Sequence, residues 1–188
     1  DRPLSRGLGD VYKRQNTIFI NTTGMRMENC DNCLIDGNSI TGPEFIVSGG
    51  SSISYTKEGA HTGILVGSSD NTTVSNNILE VTQNGMNAAS SNSMNIEYNQ
   101  ISNFWGTGIN SESSNSNTLE YNRLIRGEYS DQGIVGDNLT IRNNYIEMFG
   151  DGHYSFRGSV YGIISHNSII EQDTLIVTNG GHDCTTEG

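Results

Sequence analysis

Two carboxylates and an imidazole in the second half of the chain are the residues best suited to chemistry. Asp131 and Asp151 begin two successive stretches of similar length, and His153 follows Asp151 closely. Two carboxylates that approach each other raise one another's pKa, so one can stay protonated as a general acid while the other acts as base or nucleophile. An imidazole exchanges a proton near neutral pH. Asp131, Asp151 and His153 are therefore the candidate catalytic residues.

Other side chains in the same region have the chemistry to hold a substrate or a cation. The guanidinium of Arg157 suits the carboxylate of an acidic sugar. Asp151 and Asp183 offer the hard oxygen ligands that calcium prefers, so calcium is the candidate cofactor. A structural role for these acidic residues at strand ends is the alternative. The remaining candidate substrate-binding residues are Glu112, Trp105 and Tyr129.

These residues can meet only if the chain repeats, and a column of asparagines indicates that it does. Its members are Asn38, Asn77, Asn99, Asn122, Asn144 and Asn167. From Asn77 onward, consecutive members are about 22–23 residues apart, a spacing typical of repeat proteins. The same short frame surrounds each one, as in Thr-Val-Ser-Asn-Asn-Ile-Leu (73–79) and Asn-Ile-Glu-Tyr-Asn-Gln-Ile (95–101). A period of this size indicates a solenoid, in which each repeat buries its apolar face against its neighbours.

The apolar pattern inside each repeat identifies the kind of solenoid. Apolar residues alternate at period two, as in Ile64 and Val66, which is the strand pattern. No segment carries an apolar stripe at helical spacing, and the regularly spaced leucines of leucine-rich repeats are missing. We therefore predict an all-β protein, a parallel β-helix with coils of about 22–23 residues. Asparagine tolerates left-handed backbone geometry at a corner, and stacked amides can bond one another.

The asparagine-x-isoleucine/leucine corner resembles that of the right-handed parallel β-helix superfamily, the pectin-lyase-like fold, over residues 17–182. This resemblance implies the fold, and one fold hosts many functions. Polygalacturonase-like members carry Asn-Thr-Asp, Asp-Asp, Gly-His-Gly and Arg-Ile-Lys motifs, which this chain lacks. Mannuronan-epimerase-like members carry Asp-Pro-His-Asp, of which residues 151–154 keep only the Asp and the His. The resemblance therefore transfers no catalytic residue.

Alignment of the coils by phase predicts columns of stacked residues about 4.8 Å apart. One column contains Gly63, Gly85, Gly108, Gly133, His153 and His182. The column two positions earlier brings Asp131 beside Asp151. A third column contains Glu28, Gly67, Ala89, Glu112 and Arg157. Tyr98 and Tyr121 precede the asparagine column by one position, which predicts an aromatic ladder, with a sugar-stacking platform as the alternative.

The two ends and one interruption define the domain organisation. Residues 5–15, Ser-Arg-Gly-Leu-Gly-Asp-Val-Tyr-Lys-Arg-Gln, can be read codon for codon as a transposase adapter from sequencing libraries. Residues 1–15 are therefore interpreted as a non-native segment with no place among the coils. Residues 16–188 are the predicted β-helix domain, a fragment of an environmental gene that is incomplete at both ends. The step from Asn38 to Asn77 is much longer than the others, so 43–60 are predicted to form an insertion.

Composition excludes some classes of function. The formal net charge of −11 argues against nucleic-acid binding, which needs a basic surface. No apolar run is long enough to span a bilayer. Cys30 and Cys33 form a Cys-x-x-Cys pair that we interpret as small interior residues, with a disulfide as the alternative in a secreted protein.

The functional hypothesis is a fragment of a secreted or surface β-helix protein that acts on polysaccharide, as a lyase, hydrolase or epimerase on acidic glycan. The alternative is a noncatalytic stalk, adhesin or phage tail-fibre module that binds glycan by its shape. Convergence of Asp131, Asp151 and His153 in a groove would distinguish the two. Polysaccharide is the expected partner in both, and the oligomeric state is left open.

Overall fold

The computed structural model covers the repeat region with strands joined by short corners. It describes residues 12–14, 17–19, 23–42, 47–48, 54–55, 62–80, 83–126, 132–148, 154–158, 162–171, 177–179 and 184–187. Side chains are described within 23–42, 62–80, 83–125 and 132–147, and at 163 and 165–169. Every regular element in these ranges is a β-strand.

Three parallel sheets, named A, B and C here, each take one strand from every coil. Sheet A contains Tyr12–Arg14, Leu34–Asp36, Thr73–Ser75, Asn95–Glu97, Thr118–Glu120, Thr140–Arg142, Gly162–Ser165 and Cys184–Glu187. Sheet B contains Thr17–Phe19, Ser39–Thr41, Ile78–Glu80, Gln100–Phe104, Arg123–Arg126, Tyr145–Met148 and Ser168–Glu171. Sheet C contains Thr23–Glu28, Thr62–Gly67, Asn84–Ala89, Thr107–Ser111, Gln132–Gly136, Tyr154–Gly158 and Val177–Asn179. The chain runs through sheets A, B and C in turn, which confirms the predicted parallel β-helix.

The predicted insertion at 43–60 joins a strand of sheet B to a strand of sheet C. Its described part is an antiparallel pair formed by Val47–Ser48 and Ser54–Tyr55. This pair belongs to none of the three parallel sheets.

The core is one continuous apolar column inside the coils. The three-residue strands of sheet A whose side chains are described bury their middle residue, as Ile35, Val74 and Ile96 show. The longer strands of sheet C bury alternate residues such as Ile64 and Val66, because successive side chains of a strand point to opposite faces. A fully buried side chain of this size stabilises the fold by about 1.5–3 kcal/mol. Since its partners lie in adjacent coils, stability arises from stacking.

The asparagine column is a hydrogen-bonded ladder at the corner between sheets A and B, as predicted. The Nδ2 of Asn77 donates to Oδ1 of Asn99 at 2.9 Å, and the Nδ2 of Asn122 donates to Oδ1 of Asn144 at 3.0 Å. The backbone N–H of each of these residues donates to the same oxygen as its Nδ2. Asn38, Asn77, Asn99, Asn122 and Asn144 are buried. The ladder therefore satisfies polar groups that the corner would otherwise bury unpaired.

The left-handed residue at this corner is the one before each ladder asparagine. The expectation that the ladder asparagines adopt this geometry is wrong. The positions with positive φ are Gly37 (67°), Asn76 (55°), Tyr98 (55°), Tyr121 (53°), Asn143 (56°) and His166 (53°). Glycine and asparagine favour this region, histidine is also enriched there, and for a bulky residue such as tyrosine a positive φ is an outlier.

A second ladder, which the sequence analysis missed, lies at the corner between sheets C and A. The backbone N–H of Ser69 donates to Oγ of Ser91 at 3.1 Å, and that of Ser91 donates to Oγ of Ser114 at 3.1 Å. All three serines are buried. Their spacing along the sequence equals that of the ladder asparagines in the same coils. This constant spacing could have predicted the second ladder. Cys30 begins the column, donating its N–H to Oγ of Ser69, and forms a disulfide with Cys33.

The glycine column lets neighbouring coils and the side chains of sheet B pack closely at these positions. A Cβ on Gly63, Gly85 or Gly108 would lie 2.6 Å from the carbonyl oxygen of the glycine in the next coil. On Gly108 it would also lie 2.7 Å from a methyl group of Leu124 in sheet B. The side chains of sheet B fill this space, so only glycine fits at these positions.

Residues 12–14 belong to the coil stack. Tyr12–Arg14 pairs in parallel with Leu34–Asp36 at one edge of sheet A. The prediction that residues 1–15 have no place among the coils is wrong for these three. The N–H and C=O groups of a sheet edge pair with any extended segment, so pairing does not need the repeat pattern. The adapter origin of the segment stays a prediction.

Candidate functional site

All of the predicted catalytic and metal-binding residues lie outside the described residues: Asp131, Asp151, His153 and Asp183. The predicted substrate-binding residue Tyr129 also lies outside them. The described strands beside them do fix the register, because Gln132 pairs with Tyr154 and Ile134 pairs with Phe156. Within the described residues, no group of three His, Cys, Asp or Glu side chains could hold a metal ion.

The predicted glycine–histidine column is wrong at the step from Gly133 to His153. Gln132 pairs with Tyr154, so Gly133 aligns with Ser155. The predicted column instead aligned Gly133 with His153, two positions earlier. The apolar residues decide this register, since Phe156 takes the core position of Ile134. The predicted stacking of Asp131 on Asp151 depends on the same alignment of the two coils. The observed register of sheet C therefore does not support it. The candidate catalytic set itself stays a prediction.

The outer face of sheet C carries two columns of the remaining candidate residues. In one, Glu28 and Ala89 both pair with Gly67, as predicted. Glu112 comes directly after Ser111, the last residue of its strand, and is exposed. Arg157 does not belong to this column, because it pairs with Val135. The column that Arg157 joins is Arg26, Leu65, Asn87, Asn110 and Val135.

In the first of these columns, called the trough here, two small residues lie between two carboxylates. Gly67 and Ala89 are small and half-buried, whereas Glu28 and Glu112 are exposed. The side chain of Glu28 lies against Gly67, where an added Cβ would be 3.6 Å from its Cγ. Arg26 donates to Oε1 of Glu28 at 2.7 Å. The trough therefore has charged side chains at its ends and two small residues as its floor.

In the part of the chain that the structure describes, two amide oxygens near this face are buried and have no hydrogen-bond partner. They are Oε1 of Gln83 and Oδ1 of Asn87. The neighbouring Asn84 does have a partner, since its Oδ1 accepts from the N–H of Thr107 at 3.2 Å. Buried unsatisfied acceptors are uncommon and costly, so sheet C holds polar groups that its own packing does not require. Trp105, another candidate substrate-binding residue, is half-buried.

The corner between sheets A and B presents a pair of stacked tyrosines. The rings of Tyr98 and Tyr121 lie with centroids 4.9 Å apart and planes inclined by 5°. The two residues are 54% and 47% exposed. Both have a left-handed backbone, which costs a side chain of this type about 1–2 kcal/mol. The predicted aromatic ladder is therefore confirmed. Its tyrosines occupy positions whose left-handed backbone disfavours a bulky side chain.

Charged and polar side chains flank the tyrosines on both sheets. On sheet A, Glu97 pairs in register with Glu120, which forms an ion pair with Arg142. On sheet B, Arg123 pairs in register with Gln100 and with Tyr145. These residues are not among the predicted site residues, although their constant phase relative to the asparagines was the available signal.

Arg123 and Tyr145 form a small cluster on sheet B. The guanidinium of Arg123 lies 5.3 Å from the centroid of the Tyr145 ring, a cation–π contact. The hydroxyl of Tyr145 donates to Oε2 of Glu147 at 2.9 Å. This hydrogen bond raises the pKa of Tyr145 above its ordinary value, and desolvation and the charge of Glu147 act in the same direction. Within the described residues, Arg123 has no carboxylate at ion-pair distance.

The sequence of the coils matches a family model. The model of a right-handed β-helix region matches residues 9–135 and 50–188, which together cover most of the chain. The chain belongs to the right-handed β-helix family. A comparison with curated proteins found no match. No helix that could cross a membrane occurs in the described part of this β-helix.

Two solved structures show a remote likeness to this chain. The catalytic domain of a GH87 α-1,3-glucanase variant in complex with nigerose is 16% identical, with a TM-score of 0.43 over 95% of this chain. A variant of the tailspike protein of E. coli bacteriophage HK620 is 12% identical, with a TM-score of 0.35 over 96% of this chain. This chain spans 40% of the length of either solved protein. TM-scores this low say nothing about the activity of this chain.

Proposed function

We propose that this β-helix is part of a secreted or surface protein that binds and processes polysaccharide on the outer face of sheet C. The observation that carries the proposal is the trough of Gly67 and Ala89 between Glu28 and Glu112. A linear polysaccharide presents similar rings at regular intervals, and a rigid solenoid presents similar side chains at regular intervals. Stacked coils therefore suit such a ligand better than a compact molecule.

The second column of sheet C supplies groups that recognise sugars. Asn87 and Asn110 are half-buried amides in register, and amides can donate to and accept from hydroxyl groups. Arg157 shares this column two coils beyond Asn110. Its guanidinium is our candidate for binding the carboxylate of an acidic sugar. The proposed substrate class is thus an acidic polysaccharide.

The processing step is proposed to be lyase, hydrolase or epimerase chemistry by Asp131, Asp151 and His153, with calcium as a candidate cofactor. The buried acceptors of Gln83 and Asn87 support it, since unsatisfied groups of this kind call for a functional explanation. The noncatalytic alternative is a stalk, adhesin or tail-fibre module. The exposure of Glu28 and Glu112 favours it, since exposed carboxylates can bind sugar hydroxyl groups without taking part in catalysis.

The proposed location outside the cell is supported by the disulfide between Cys30 and Cys33. Disulfides persist in oxidising surroundings and are rare in the reducing cytosol.

The test is electrophoresis of the protein through gels that contain polygalacturonate, alginate or xylan, together with assays for cleaved and epimerised products. The variant Ala89→Leu fills the floor of the trough and is expected to weaken retardation by the acidic polymers. Thr118→Leu, on the outer face of sheet A, is the matched control and should leave retardation unchanged. Equal retardation of native protein and Ala89→Leu would place the binding surface elsewhere, and absence of retardation in all three gels would overturn the proposed function.

A further inference from the structure

We propose that the corner between sheets A and B is a second polysaccharide-binding surface, built around Tyr98 and Tyr121. The chain turns at this corner without involving sheet C, so this surface is separate from the trough. It extends the proposed function by a site that has no part in the predicted chemistry.

The left-handed backbone of the two tyrosines points to a functional role. The corresponding positions in other coils are occupied by Gly37, Asn76, Asn143 and His166, residue types that suit a left-handed backbone better than tyrosine does. Tyrosine is poorly suited to φ values of 55° and 53°, and here it occurs in two consecutive coils. Residues held in disfavoured conformations concentrate at functional sites, where another requirement outweighs the strain.

The second argument is exposure. Within the described residues, the large hydrophobic side chains that are exposed are Ile78, Tyr98, Tyr121 and Ile163. Three of the four lie at this corner, since Ile78 is the first residue of its strand in sheet B. Fold stability does not require apolar surface in water, so its concentration at one edge points to a ligand.

The third argument is chemical match. A tyrosine side chain combines an apolar ring with a polar hydroxyl, and a sugar ring combines apolar C–H faces with polar hydroxyl groups. Gln100 and Arg123, in register on sheet B, offer donors beside the rings, and Glu97 offers an acceptor on sheet A. The spacing of these groups follows the coils, so they form a straight row along the edge.

A protein partner fits this corner less well. A stable protein interface buries about 800 Å² on each partner around an apolar centre. Three apolar side chains in one narrow row, with carboxylates, amides and guanidinium groups on both sides, offer no such centre, whereas this row suits a single polysaccharide chain.

The test uses the double variant Tyr98→Asn/Tyr121→Asn, which introduces the residue that Asn76 and Asn143 already provide in this column. We expect its melting temperature to equal or exceed that of the native protein. We expect its dissociation constant for a retarding polysaccharide, chosen from polygalacturonate, alginate, xylan and a mixed-linkage β-glucan, to rise at least about tenfold. Ile163→Thr, which removes exposed apolar surface from sheet A, is the control and should bind like the native protein.

The outcomes separate this proposal from the trough. If the tyrosine variant binds like the native protein while Ala89→Leu does not, the corner proposal is wrong and the trough stands. If Ala89→Leu binds normally and the tyrosine variant does not, the corner proposal holds and the trough is wrong. A large fall in the melting temperature of the tyrosine variant would show that the stack is structural. A change from a native oligomer to a monomer would assign the corner to a second copy of the chain. Either result would overturn the proposal.

Discussion

Asn99 donates two hydrogen bonds to one atom of Asn122: its backbone N–H and its Nδ2 both lie 3.0 Å from that Oδ1. The Nδ2 of Asn122 in turn donates to the carbonyl oxygen of Ile96 at 2.8 Å. The same Nδ2 also donates to Oδ1 of Asn144 in the next coil at 3.0 Å, so a single amide serves groups of two other coils. Because each coil of the ladder repeats this arrangement, the corner couples neighbouring coils through buried polar contacts as well as through the apolar core.

The first prediction concerns this coupling. Asn122→Leu leaves the buried N–H of Asn99 without an acceptor, and one unsatisfied buried group costs about 1–3 kcal/mol. We expect a loss of at least this size in the free energy of unfolding, measured by urea denaturation. The control is Asn115→Leu, an exposed asparagine whose side chain contributes one long hydrogen bond of 3.4 Å. If both variants unfold at the same urea concentration, the ladder does not stabilise the protein.

The second prediction tests the glycine column. Gly108→Ala places a Cβ 2.6 Å from the carbonyl oxygen of Gly133, so the backbone or Leu124 must move. Overpacking of this kind costs about 1–3 kcal/mol. Gly67→Ala is the matched control, since its Cβ meets neighbours at ordinary distances and the next coil already has Ala89 there. A native melting temperature for Gly108→Ala would contradict the close approach of the coils.

The fold and the ladder were predictable because asparagine recurs at nearly constant steps. The register of sheet C after Gly133 was not. The step from Thr107 to Gln132 is longer than the next step, from Gln132 to Tyr154, because the segments between the strands differ in length. An alignment that stacks Asp131 on Asp151 shifts these two coils relative to each other, whereas the core aligns Ile134 with Phe156. The left-handed position was also misassigned, because tyrosine occupies it in two coils.

The third prediction concerns the cysteines. The chain has three, and the disulfide uses Cys30 and Cys33. Unfolded protein that has not been reduced should therefore contain one titratable thiol per chain, and reduced protein should contain three. The variant Cys184→Ser should lower the first value to zero. Three thiols in protein from an oxidising compartment would show that the pair is not bonded and would remove the support for a location outside the cell.

The fourth prediction is a pH dependence. The neutral hydroxyl of Tyr145 donates to Glu147, which raises its pKa above the ordinary value of about 10. The bond therefore contributes fully at pH values below the ordinary pKa, and its contribution disappears as the pH rises through the raised pKa. Titration of ring-labelled tyrosines by NMR should show a lower pKa for Tyr145 in the variant Glu147→Gln. An unchanged Tyr145 pKa would mean that the bond does not form in solution.

The last prediction separates the catalytic, calcium-binding and structural roles of Asp151. If Asp151 is catalytic, Asp151→Asn should lower turnover on an acidic polysaccharide by a factor on the order of 10²–10⁴ and leave the melting temperature unchanged. If it binds calcium, the variant should instead lose a calcium-dependent rise in melting temperature. The control is Asp70→Asn, because the Oδ1 of Asp70 accepts from Asn92 and an asparagine oxygen can do the same. If neither turnover nor the calcium response differs from that control, Asp151 is structural. The noncatalytic β-helix, a stalk, adhesin or tail-fibre module, then becomes the better hypothesis.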